Sequence, residues 1–245
     1  MIWNFISPTA SSDLAFTGGG RTRPLTIVRR RRARGMRLSI DPRDGLVRLT
    51  LGQRAPLRPA LAWAAGKRAW VEAELARLPL ARPIVPGMIF AVDDQRLVID
   101  WNVAQPRAPR IVDDRLEVGG PYETLGPRVL RFLRAQALVT LTAETRALAT
   151  AHRIEVARIG VGDPRGRWGS CTSSGDIRYS WRLTLAPGHV RRATVAHEVA
   201  HRIHMNHGAA FHALVAELYG DDPAPARQWL RAHGTTLHWF GRVDG

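Results

Sequence analysis

The sequence predicts an α+β fold, with a β-rich front half containing one long helix ahead of a helical half built around a β-hairpin. Three observations predict it. Short runs of alternating or apolar residues, bounded by turn residues, recur between 25 and 118. A helical apolar period runs through about 124–151. Three further helical segments, 188–205, 208–219 and about 222–233, close the chain. A period of two reads as strand and a period of 3.6 as helix.

In chain order, residues 1–23 are rich in Ser, Thr and Gly and read as a flexible tail. Leu25–Val28, Met36–Ile40 and Leu46–Leu51 read as strands, with Asp41–Gly45 as a turn between the last two. One helix is expected over 58–78, from Leu61, Ala64, Val71, Leu75 and Leu78. Prolines 79, 83 and 86 mark a hinge. Strands are expected again at Met88–Val92, Arg96–Asp100, Arg110–Val112 and Arg115–Val118, before the break at Gly119-Gly120-Pro121. The long helix from about 124 should bury Leu130, Leu133, Ala137, Leu138 and Leu141. Strand-like runs follow at 154–161, 166–171 and 177–185, the last two joined as a hairpin through Ser173–Asp176. No internal repeat is visible. The expected domains are a β-rich part over 24–120 and a second domain over 121–245.

Composition limits the function. Of 245 residues, 45% are apolar and 23% charged, as in ordinary globular chains, which excludes wholesale disorder. No apolar run is long enough to span a bilayer, so no membrane partner is expected. The first twenty residues lack the pattern of a secretory signal. Cys171 is the only cysteine, so an intrachain disulfide is impossible and a cytoplasmic setting fits. The net charge is +15, and residues 1–60 hold twelve arginines against Asp13, Asp41 and Asp44. Such an excess attracts anionic partners, nucleic acid or nucleotide among them, unless it only reflects arginine-rich composition.

The chemistry concentrates where five of the nine histidines lie, between 197 and 212. His197-Glu198-Val199-Ala200-His201 places two imidazoles four residues apart on one helical face. They can hold one zinc ion at about 2.0 Å each. Zinc lowers the pKa of a bound water to about 7, and Glu198 is placed to act as general base. Val195, Val199 and Ile203 supply an apolar stripe to anchor the helix. A catalytic zinc needs a third protein ligand and an open position. The candidates are His204, His207 and Glu217. His207 is favoured because a turn at Asn206-His207-Gly208 can swing it back under the metal, whereas three ligands on one straight helix span too far.

Four blocks carry a specific resemblance. Gly166-Arg-Trp-Gly-Ser-Cys171, Tyr179-Ser-Trp-Arg-Leu183, His197-Glu-Val-Ala-His201 and Met205-Asn-His-Gly-Ala-Ala-Phe211 resemble the YgjP-like metallopeptidase family, which belongs with the SprT-like and M48-type zincins. The resemblance covers about 155–235, and the front half also looks like that of the family. It implies a zincin-like catalytic domain, with His197, His201 and His207 on the metal and Glu198 as the base. Two positions depart from the family: Ser180 stands where Asn is usual, and His212 where Trp is usual.

The hairpin 166–185 is the candidate strand for edge pairing with an extended peptide. Strict alternation along it would turn Ile177, Tyr179, Trp181 and Leu183 one way and Arg178, Ser180, Arg182 and Thr184 the other. Arg167, Trp168 and Arg182 are candidates to line the cleft, and Tyr179 to stabilise an oxyanion. The competing roles are core aromatic for Trp168 and salt-bridged scaffold for Arg182. Asp163 and Glu217 are candidate carboxylates to orient a ligand imidazole.

The expectation is therefore a zinc-dependent metallopeptidase acting on a peptide or protein. Two alternatives share the residues: a metal-dependent hydrolase of nucleotide phosphoanhydrides, suited by the arginines, and a basic DNA-associated protein with a SprT-like protease domain.

Overall fold

Val47, Leu49 and Leu51 are fully buried, while Arg48, Thr50 and Gly52 between them are partly exposed. This period of two makes Val47–Gly52 a strand with one face on a core. In the computed structural model, which describes residues 11–243, the strand is β4 of a four-stranded sheet. Its companions are β1 (Ser11–Gly18), β2 (Arg21–Arg30) and β3 (Arg37–Ile40), in the order β1-β2-β4-β3. The outer pairs are antiparallel and β2 runs parallel to β4. Gly19 and Gly20, both at positive φ, make the tight turn from β1 to β2. Residues 11–23, expected in a flexible tail, are therefore largely strand, and residues 1–10 of that tail lie outside the described residues.

Two helices cover this sheet, α1 (Leu57–Ala65) and α2 (Arg68–Ala76), where one was expected. The reason is local. No residue from 65 to 70 is buried, so nothing holds that turn to the sheet, and Gly66 is a poor helix former. Ala60, Ala64, Val71 and Leu75 pack against Phe16, Leu25, Ile27 and the buried face of β4. Arg21 is buried and donates to the carbonyls of Leu75, Leu78 and Pro79, which satisfies the end of α2.

By compactness the described residues form two units, 11–81 with Val243 and 82–242, while the sequence places its division at 120/121. The strands after the prolines belong to the second unit. They are β5 (Ile89–Val92), β6 (Gln95–Trp101), β7 (Arg110–Val112) and β8 (Arg115–Val118), in the order β5-β6-β8-β7. Again the outer pairs are antiparallel and the inner pair parallel. Both units thus contain a sheet of the same topology, a repeat with no visible trace in the sequence.

The second unit continues with α3 (Leu125–Ala151), whose buried stripe falls on every fourth residue: Leu125, Val129, Leu133, Ala137, Leu141, Thr145 and Ala149. Leu138, expected in that stripe, is exposed. A small sheet follows, β10-β11-β9, from β9 (Ile159–Gly162), β10 (Gly169–Cys171) and β11 (Ile177–Ser180). Then come α4 (Gly188–Ala200), α5 (Ala209–Tyr219) and α6 (Ala224–Leu237). The protein has the α+β architecture expected of a zincin-like domain. Among the described residues no helix is long and apolar enough to cross a membrane.

A buried ion network sets the start of α4. The guanidinium of Arg191, with its side chain only 5% exposed, meets Asp93 at 3.2 Å and Glu144 at 2.9 Å. Asp93 and Asp94 form the β5–β6 turn, both in the left-handed region that Asp tolerates. Asp93 also accepts from Thr140 of α3 at 2.7 Å. Asp94 accepts the backbone N–H of Gly188, the first residue of α4, at 2.7 Å. Removing Arg191 leaves the partly buried carboxylates of Asp93 and Glu144 facing one another without their cation. Arg191→Met is expected to cost about 3 kcal/mol, seen as a lower denaturant midpoint with an unchanged slope. A loss below about 0.5 kcal/mol would mean that the network does not hold the fold.

Candidate metal centre

Helix α4 is nearly all buried, from Val190 to Ala200, with Arg192 exposed and His197 partly so. It presents His197 and Glu198 from its last turn, and His201 caps its C-terminus. The helix stops at Ala200, so Ile203 is not part of its apolar stripe and is exposed. The chain then turns through residues 202–208 before α5, and this turn brings His207 back. Ligand-capable nitrogens of His197, His201 and His207 all lie within 4.8 Å of one another. The Nε2 atoms of His197 and His207 are 3.3 Å apart. His201 donates from Nδ1 to the carbonyl of His204 at 3.0 Å, which leaves its Nε2 free to coordinate.

Beneath the three rings lies Phe211, fully buried, at centroid distances of 4.9, 4.5 and 4.8 Å from His197, His201 and His207. Burial pushes the His197 imidazole down to about 4, helped by the neighbouring histidines. Burial also lowers the pKa of His201. Neutral imidazoles are the form that binds metal. Glu198 is buried, and burial pushes its carboxyl up to about 7 while the charge of Arg167 pulls against the shift. Among the described residues its Oε2 has no hydrogen-bond partner. Three imidazoles converging beside an orphaned carboxylate oxygen fit a borderline-soft divalent ion such as zinc.

The other candidates for third ligand fall outside the cluster. His204 offers its backbone carbonyl to His201, and Glu217 is exposed on α5. His212 is exposed, its ring 6.4 Å from that of His207.

Of the four candidate substrate contacts, two reach the site. Arg167 and Trp168 line a cavity of about 240 Å³ that also touches His197 and Glu198. The other two do not. Tyr179, the expected oxyanion donor, is fully buried with its hydroxyl 3.0 Å from that of Thr145, and burial raises its pKa. Arg182 is buried as well. It bonds Asp163 from Nε at 2.8 Å and Nη2 at 3.0 Å, and donates from Nη1 to the carbonyls of Leu237 and Phe240. Tyr179 lies within β11 on the same buried face as Ile177, so alternation itself turns it to the core, whereas the expectation for Arg182 assumed that alternation continues to 185. Instead β11 ends at Ser180, and Trp181–Leu185 turn as a short 3-10 helix in which Trp181 to Thr184 are all buried. Asp163 accordingly serves Arg182 and not a ligand histidine.

Sequence reasoning missed two residues. Phe211 stands in the sequence only as the last residue of the block Met205–Phe211, with no role assigned to it. Gly169 on β10 lies so close to α4 that a Cβ there would come within 2.4 Å of Glu198 Oε1. Glycine is what lets the strand approach the carboxylate.

Comparison with known families matches the model described as YgjP-like, metallopeptidase domain, to residues 34–233. Comparisons with curated proteins and with solved structures give no match.

The scaffold role of Arg182 has a pH signature. Burial raises the Asp163 carboxyl, but the bonds and charge of Arg182 outweigh it and hold the pKa below the ordinary 3.8. A depressed carboxylate stabilises the fold above its unfolded pKa and loses that contribution as pH falls through the folded one. Asp163→Asn should therefore lower the melting temperature at neutral pH. That gap should close in melts taken progressively below pH 3.8. A gap that stays constant into acid would remove the ion pair as its cause.

Proposed function

The chain belongs to the YgjP-like metallopeptidase family, and on that premise we propose that it is a zinc-dependent peptidase with His197, His201 and His207 as metal ligands and Glu198 as general base. The observation that carries the reading is the convergence of three imidazoles within 4.8 Å beside a buried carboxyl whose pKa lies at about 7. When bound, zinc would polarise a carbonyl and lower the pKa of a water to about 7.

The chain's own residues supply the rest. A carboxyl near pH 7 is both a competent acceptor and a competent donor of a proton. Glu198 takes the proton of the attacking water on a carboxylate oxygen and returns it to the departing amine. Gly169 keeps β10 against Glu198, and β10 is an outer strand of its sheet, open to pairing with an extended peptide. The cavity next to Glu198 is apolar apart from its rim, which suits an amino-acid side chain better than a polyphosphate. The peptide reading is preferred to the nucleotide one on that ground.

Elemental analysis of protein purified without added metal tests the ligand set. The wild type should carry about one zinc per chain, and His207→Ala should lose most of it. Full retention in the variant would reject His207, and no metal in the wild type even after zinc is supplied would reject the enzyme reading. Glu198→Gln should keep its zinc and lose about 10²–10⁴-fold in peptide hydrolysis; undiminished hydrolysis would remove Glu198 from proton transfer.

A further inference from the structure

The cavity beside Glu198 has a floor and a rim of opposite character. Its floor comes from three helices: Val190 and Ala193 of α4, Val215 of α5, and Ala226 and Leu230 of α6. The first four of these are nearly fully buried, so the floor is part of the packed interior. Trp168 makes one wall, and its ring is held in place by Gly234 of α6, where a Cβ would come within 2.7 Å of Cζ2. The rim carries two guanidinium groups, Arg167 just before Trp168 and Arg227 just after Ala226. Both residues are exposed, and among the described residues neither makes an ion pair within 4.0 Å, although the charge of Arg167 reaches Glu198. Glu198, at the inner end, is the only acidic residue lining the space.

Size and charge together narrow the occupant. About 240 Å³ is below the ~300–1,000 Å³ that encloses a whole drug-sized ligand. It is room for one side chain and a small neighbouring group. An apolar floor favours an aliphatic or aromatic side chain. Two exposed guanidiniums at its edge, neither held in a close ion pair, favour a planar anion, which they can bind with paired N–H donors.

We propose that this cavity is a specificity subsite for an apolar side chain flanked by a carboxylate, and that Arg167 and Arg227 select the carboxylate. The inference rests on the peptidase reading. It assigns the substrate class: peptides in which an aliphatic or aromatic residue stands beside an acidic residue or beside the free C-terminus.

The test uses the zinc-loaded full-length protein and matched peptides in which one leucine is flanked by Asp, Asn or Lys, each with a free or amidated C-terminus. The wild type should cleave the Asp peptide, or the free-carboxylate peptide, about tenfold better in kcat/KM than its neutral counterpart, as two partly exposed charge contacts allow. Amidation separates the two sources of the carboxylate. Arg167→Glu with Arg227→Glu should invert the preference toward Lys. Ala226→Leu, which fills the floor, should reduce cleavage at leucine relative to alanine. Equal cleavage of Asp, Asn and Lys peptides by the wild type, or an unchanged ratio in the charge-reversed variant, would overturn the subsite while leaving the peptidase reading intact. Titration of the same peptides into Glu198→Gln by calorimetry separates the two readings. Charge-dependent binding with no hydrolysis by the wild type would support the subsite and sink the peptidase reading. No binding and no cleavage would sink both.

Discussion

The guanidinium of Arg191 cannot be left alone in the interior, and much of the second unit is arranged to answer it. An unpaired buried cation costs several kcal/mol. Its partners come from the β5–β6 turn and from α3, and the same turn caps the first N–H of α4 through Asp94. Each end of the arrangement limits the others. Asp93 and Asp94 accept left-handed backbone to reach α4, and Glu144 accepts burial that raises its pKa above the usual carboxylate value. With the start of α4 fixed in this way, so are the position and rotation of its last turn, about ten residues on, at 1.5 Å and 100° per residue. The three imidazoles can converge only if that last turn is correctly rotated.

This explains which parts of the site were legible in the sequence. His197, Glu198 and His201 are related by helical spacing alone, and a local period is enough to place them on one surface. His207 needed one further step, a chain reversal, and Asn206 and Gly208 announce that turn. Phe211 needed the packing of α5 on α4, which no local pattern encodes. Tyr179 lies inside β11, and alternation puts it with Ile177 on one face without saying that this face is the core; Arg182 lies past the point where the strand ends. A strand that turns into a 3-10 helix swaps its two faces for one enclosed turn, and Arg182 becomes a bracket for the carbonyls of Leu237 and Phe240.

The fold shows the same division between local and non-local information. The strands from 89 to 118 were readable almost to the residue, because alternation and turns are local. Their pairing was not. Two sheets of one topology escaped notice because order and direction depend on which edges meet, and unrelated residues can meet that demand equally well. The break between α1 and α2 was missed for a related reason. Helical spacing continues across Gly66 and Lys67, but no buried side chain there ties the turn to the sheet. Gly119-Gly120-Pro121 is a local break in the pattern, whereas a compact unit is defined by side chains that share a core, which is non-local information.

Two features of the second unit are poor choices for stability alone, and they meet at one point. Glu198 keeps a carboxylate oxygen buried without a partner, a defect worth about 1–3 kcal/mol. Gly169 sits in a strand, where glycine costs about 0.5–1 kcal/mol, and a larger residue would displace that same carboxylate. The ion pairs elsewhere in the unit show that this chain readily satisfies a buried charge, as it does for Arg182 and Arg191. A fold under pressure only to be stable would have given Glu198 a donor or replaced it, since single changes of that kind are accessible. Local conflicts that persist in an otherwise consistent structure concentrate where chemistry is done. The conflict here lies beside three converging imidazoles, two of which, His197 and His201, burial holds below their ordinary pKa, and in the lining of a cavity rimmed by arginine. Glu144 also has a buried oxygen without a partner, but its other oxygen is held by Arg191 and it lies outside the lining of this cavity, so the coincidence favours Glu198 as the group that moves the proton.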